Sequence, residues 1–98
     1  MIDEDKLLEI LNERKNILER RANRRKIEIE RVGNAIKNLR DEIKCDASLH
    51  IVKIKEKEES IQSFYRIKNR YYNKMEKFYI EIDGLEFAIR VIEKLREG

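Results

Sequence analysis

Apolar residues recur along the first half of the chain at alternating steps of three and four. The series runs Leu8, Leu11, Lys15, Leu18, Ala22, Arg25, Ile29, Val32, Ile36, Leu39 and Ile43. With Leu8 at heptad position a and Leu11 at d, a repeat sustained over this many turns predicts one helix that pairs along its length. Asp3 is the expected N-cap, with Ile2 and Leu7 forming a hydrophobic staple. The same spacing returns as Ile54, Ile61, Phe64, Lys68, Tyr71, Met75, Phe78, Ile82, Leu85, Ile89 and Ile92. Between the two series it lapses at Cys45-Asp46-Ala47-Ser48, where Asp46 or Ser48 can cap a new helix.

The pattern therefore predicts an all-α chain. A helix over about 3–44, a turn at about 45–49 and a helix over about 50–96 make one domain spanning 1–98, a long coiled-coil-like antiparallel hairpin. Two stretches alternate like strands, Lys26 to Glu30 and Tyr79 to Leu85, and Asp83-Gly84 is a hairpin dipeptide. Both lie inside heptad registers that continue on either side, so helix is expected there too. Gly33 weakens the first helix by about 1 kcal/mol relative to alanine without ending it.

If the backbone turns near 46–49, facing residues should have numbers that sum to about 95. Leu11 then meets Leu85, Leu18 meets Phe78, Ala22 meets Met75 and Tyr72, Ile29 meets Phe64 and Ile67, and Ile43 meets Ile51 and Val52. Each helix spans about 60 Å at 1.5 Å per residue. A lone hairpin of that length buries one stripe per helix, which barely offsets an ordering cost of about 1.5 kcal/mol per residue. Tyr65, Tyr72 and Tyr79 repeat at position e, and Leu7, Ile10 and Ile17 add further apolar positions. The expectation is a homo-oligomer, a dimer first, in which two hairpins form a four-helix bundle. Its interface would draw on Leu8, Leu11, Leu18, Ile29, Ile36, Phe64, Tyr65, Met75, Phe78, Tyr79, Ile82 and Ile89.

Charge changes the picture locally more than globally. The 23 Lys and Arg against 20 Asp and Glu leave a net of only +3, and the isoelectric point is about 9.0. The same fold-back, however, brings Arg20, Arg21, Arg24, Arg25 and Lys26 level with Arg66, Lys68, Arg70 and Lys74, with Tyr71 and Tyr72 among them. Arginine interleaved with tyrosine suits phosphate contacts, base stacking and cation-π interactions. The bland reading is that these side chains solvate a helix and pair with Glu19, Glu28 and Glu76 at helical spacing. Lys15, Arg25 and Lys68 occupy seam positions, where long side chains can lay methylenes along the seam and keep the charge in water. Alternatively, the seam opens there and presents Arg25 with Tyr71 to an anion.

Catalytic chemistry has little to draw on. One histidine, one cysteine, three glycines and no proline supply no Ser/His/Asp or Cys/His set, no phosphate loop, no disulfide and no zinc site. His50 is expected as an exposed turn residue and Cys45 as a small packed one. No apolar run reaches the length of a membrane span, and no charged-then-apolar leader is present, so a cytoplasmic protein is expected. The segment Lys6-Leu7-Leu8-Glu9-Ile10-Leu11-Asn12-Glu13-Arg14 resembles part of the first helix of the all-helical chorismate mutases. That resemblance implies Arg14 and Arg25 as candidate ligands for substrate carboxylates. The family's later Asp-Arg-Glu segment has no counterpart in this sequence.

Together these features lead us to expect a non-enzymatic regulatory or adaptor protein without cofactor, metal or small-molecule substrate. Its central Arg/Lys/Tyr belt would engage a nucleic acid or nucleoprotein. The rival expectations are a purely structural coiled coil, in which the belt receives the acidic end of a neighbouring copy, or a small inhibitor acting by protein contact. Low Gly and Pro with frequent Ile, Lys, Asn and Tyr hint at an AT-rich coding sequence of the kind mobile elements carry.

Overall fold

A computed structural model describes residues 3–46 and 48–98. Two helices, α1 (Glu4–Cys45) and α2 (Ile51–Glu97), pack against each other as an all-α hairpin. Asp3 caps α1: its carboxylate accepts the Asp5 amide at 3.1 Å, and its carbonyl accepts the Leu7 amide at 2.9 Å. The staple partner Ile2 lies outside the described residues. The Asp46 carboxylate accepts both the Ser48 amide at 3.0 Å and the Ser48 hydroxyl at 2.6 Å, which tightens the turn.

The cap of α2 is neither Asp46 nor Ser48. It is His50, whose carbonyl accepts the Lys53 and Ile54 amides and whose Nδ1 accepts the Val52 amide at 3.3 Å. For Nδ1 to accept, the ring proton sits on Nε2. His50 is therefore exposed, as expected, but structural. Cys45, expected to be packed, is exposed at the end of α1.

The chain forms two compact units, one of Met1–Arg24 with Lys74–Gly98 and a second of Arg25–Asn73. In the first unit Leu18, Ala22, Ile82 and Ile89 are buried; in the second Ile29, Ile36 and Ile61 are. Every other seam position from Leu8 to Ile43 and from Phe64 to Ile92 is half-buried, which is the pattern of a two-stranded seam. Asp83-Gly84 lies inside α2 with no positive φ. The heptad on both sides outweighs the dipeptide's turn preference.

The register differs from the predicted one by about a helical turn. In the first unit Arg96 pairs with Asp5 at 2.6 Å and Glu4 at 3.9 Å, and Lys15 with Glu86 at 3.4 Å. In the second, Lys57 pairs with Glu42 at 2.5 Å and Lys68 reaches over Gly33. These partners have numbers adding to near 100. That register sets a positions opposite d positions, as antiparallel knobs-into-holes packing requires: Leu18 with Ile82, Leu11 with Ile89, Ile36 with Phe64, Ile29 with Tyr71. A sum near 95 sets d against d, and it survives only on one flank of the seam, where Arg14 meets Glu81 at 3.5 Å. On the other flank the sum is larger, and Arg40 meets Tyr65.

A candidate anion-binding surface

The excess positive charge is confined to one unit. Arg25–Asn73 holds twelve Lys and Arg against eight Asp and Glu, whereas the other unit holds eleven against twelve. Within Arg25–Asn73, the seam cations differ in what they face. Arg25 donates to Glu28 at 2.9 Å and lies 5.6 Å from the centre of the Tyr71 ring. Lys57 is paired with Glu42. Lys68, half-buried at a seam position, has no carboxylate partner among the described residues, and its ammonium lies 3.7 Å from where a Cβ on Gly33 would be. The lysine head group passes over Gly33 at ordinary contact distance.

It exits into an open hollow of about 270 Å³ lined by Gly33, Ile36, Lys37, Arg40, Asp41, Lys44, Tyr65 and Lys68. Four cations meet one carboxylate there. Lys37, Arg40 and Lys44 recur at steps of three and four, so they share one face of α1 beside the seam. Arg40 donates to the Tyr65 hydroxyl, and its guanidinium lies 5.4 Å from the centre of that ring. A phenol orients the guanidinium without neutralising it, so the positive charge remains available to a ligand. A larger groove of about 920 Å³ adjoins through Arg40 and Lys44 and adds Lys55 and Arg66, but Glu58 and Glu59 line it too. The smaller hollow has the greater cation excess.

Of the predicted belt, Arg20, Arg21, Arg24 and Lys74 belong to the first unit, and Arg25, Lys26, Arg66, Lys68, Arg70, Tyr71 and Tyr72 to the second. All are exposed except Arg25, Lys68 and Tyr71. Arg66 and Arg70 occupy positions f and c of α2, and Arg66 lines the larger groove with Arg40 and Lys44. Lys37, Arg40 and Lys44 were passed over in favour of the denser arginine run. Their spacing beside Gly33 and opposite a seam lysine was the available signal.

Of the residues expected to join two copies, Leu18, Ile29, Ile36, Ile82 and Ile89 are buried within the hairpin. Leu8, Leu11, Phe64, Tyr65, Met75 and Phe78 are half-buried in it, and Tyr79 is exposed. Arg14 and Arg25, the anion ligands implied by the chorismate mutase resemblance, are each already held by a carboxylate, Glu81 and Glu28 respectively. Among the described residues no cluster of histidine, cysteine and carboxylates could hold a metal, and no helix is long and apolar enough to cross a membrane. No protein-family model, curated protein or solved structure matches the chain.

Proposed function

We propose that the protein is a non-enzymatic binding module, resident in the cytoplasm, that engages the phosphate backbone of a nucleic acid through the hollow lined by Lys37, Arg40, Lys44 and Lys68. The observation that carries this reading is Lys68, a cation kept at a seam position without an ion-pair partner among the described residues and beside three more cations on one face of α1. A leucine there would pack better, so the lysine is better explained by what it meets outside the seam. Phosphate contacts of this kind position a partner without reading its sequence. In the rival assembly reading the acidic residues at the start of α1 would fill a neighbouring copy's cations, and of these Glu4 and Asp5 are tied to Arg96 of their own chain.

Fluorescence anisotropy with labelled single- and double-stranded oligonucleotides tests the proposal. Four phosphate contacts give a slope in log K against log salt of about −2.8 on single strands and about −3.6 on duplex. Replacing Lys37, Arg40, Lys44 and Lys68 together by glutamine should abolish binding and the slope. Absence of binding to either oligonucleotide at low salt, or a slope unchanged in the fourfold variant, rejects it.

A further inference from the structure

Unit Met1–Arg24 with Lys74–Gly98 leaves one face of α2 uncovered. Ile80, Phe87 and Val91, at positions f, f and c, are 64%, 66% and 41% exposed. Gly84 completes the row, and no atom lies within 4 Å of where its Cβ would be. Water meets an apolar ridge with a gap in it. Beside the ridge, Phe87, Arg90, Val91 and Lys94 line a shallow hollow of about 310 Å³.

We infer that a second copy of the chain docks on this row, α2 against α2 and antiparallel, about a two-fold axis between Gly84 and Phe87. The row is complementary to itself read backwards. Phe87 of each copy enters the gap over Gly84 of the other, and Ile80 of each faces Val91 of the other. The hollow formed by Phe87, Arg90, Val91 and Lys94 has the four-residue spacing of the socket that receives a knob in helix pairing, and the knob it receives is Ile80 of the second copy. The same alignment places Asp83 across from Arg90 twice, and neither has an ion-pair partner within its own chain among the described residues. Parallel pairing would instead set Phe87 on Phe87 and Asp83 on Asp83. Glycine inside a long helix costs stability, and here that cost is offset by the room it gives an aromatic ring. The interface is isologous, so it closes at two copies.

From Ile80 to Val91 the contact runs about 17 Å along the helix, which makes it a small interface with a dissociation constant in the micromolar range. Sedimentation equilibrium of the full chain, with Cys45 kept reduced, should show a reversible monomer–dimer equilibrium that persists in high salt. Phe87→Asp should leave monomer only. Gly84→Leu meets nothing within the single chain, so it should melt no lower than the parent while weakening the dimer about tenfold or more. Asp83→Arg and Arg90→Asp should each weaken the dimer, and the double variant should recover it. A chain that stays monomeric at millimolar concentration overturns the inference, as does a dimer indifferent to Phe87→Asp and Gly84→Leu. Failure of the double reversal to recover the dimer overturns the antiparallel pairing. None of these outcomes bears on the oligonucleotide slope, so the two proposals fail separately.

Discussion

Lys68→Leu should make the protein more stable and a poorer binder at once. Burying a leucine fully is worth about 1.5–3 kcal/mol, and the lysine methylenes already recover part of that, so the net gain should be about 1 kcal/mol. No ion pair is lost in exchange among the described residues, since Lys68 has no carboxylate partner there. The matched control is Lys15→Leu. Lys15 occupies an equivalent seam position but pairs with Glu86 at 3.4 Å and Glu19 at 3.9 Å. Those pairs are part-exposed and worth about 0.2–1 kcal/mol together, which cancels much of the packing gain. Thermal melts followed by circular dichroism should therefore place Lys68→Leu about 4–8 °C above the parent, with Lys15→Leu nearer to it. Lys68→Leu should also flatten the salt slope for oligonucleotide binding, which Lys15→Leu should leave intact. A Lys68→Leu protein that melts at or below the parent, or gains no more than Lys15→Leu, refutes the claim that packing is given up at Lys68 for binding.

Gly33→Ala should raise stability by about 1 kcal/mol through helix propensity, since the new methyl would sit at ordinary contact distance from Lys68 Nζ and displace nothing, and a melt combined with an anisotropy titration should show tighter folding with binding unchanged. His50→Asp should stabilise α2, which has no acidic residue in its first turn, by about 1 kcal/mol, measured by urea unfolding at neutral pH. The two hydrogen bonds from Ser48 hold the Asp46 carboxyl below its ordinary value. Its contribution is therefore present above the unfolded pKa and lost as pH falls through the lower folded one. Asp46→Asn should remove that part of the acid-induced fall in melting temperature, and a fall identical in both proteins would contradict it.

The helices and the turn were legible because a heptad is a one-dimensional signal: Leu8 to Ile43 and Ile61 to Ile92 specify which face is buried regardless of what that face meets. Register was not, because it depends on pairing a with d across two helices, and counting from the turn missed that rule. The cap of α2 was misplaced because Asp and Ser are the usual capping residues, while the backbone leaves the turn two residues later, at His50. For the surface, counting gave height along the hairpin but ignored the angle around each helix. Arg70, at position c, is exposed, while Arg66, at position f, lines the larger groove with Arg40 and Lys44. Lys68 was noticed as an oddity, but its exit over Gly33 is a contact between helices that no single-helix pattern contains. The pairing of Arg25 with Glu28, by contrast, is an i,i+3 contact within α1 and was legible from helical spacing alone.

The most direct measurement is a two-dimensional amide and side-chain NMR titration of the full chain with a short oligonucleotide at low salt. The account predicts shifts concentrated at Gly33, Lys37, Arg40, Lys44, Tyr65 and Lys68, reversed by adding salt. Shifts centred on Arg20, Arg21 and Arg24, or none in either set, would contradict it.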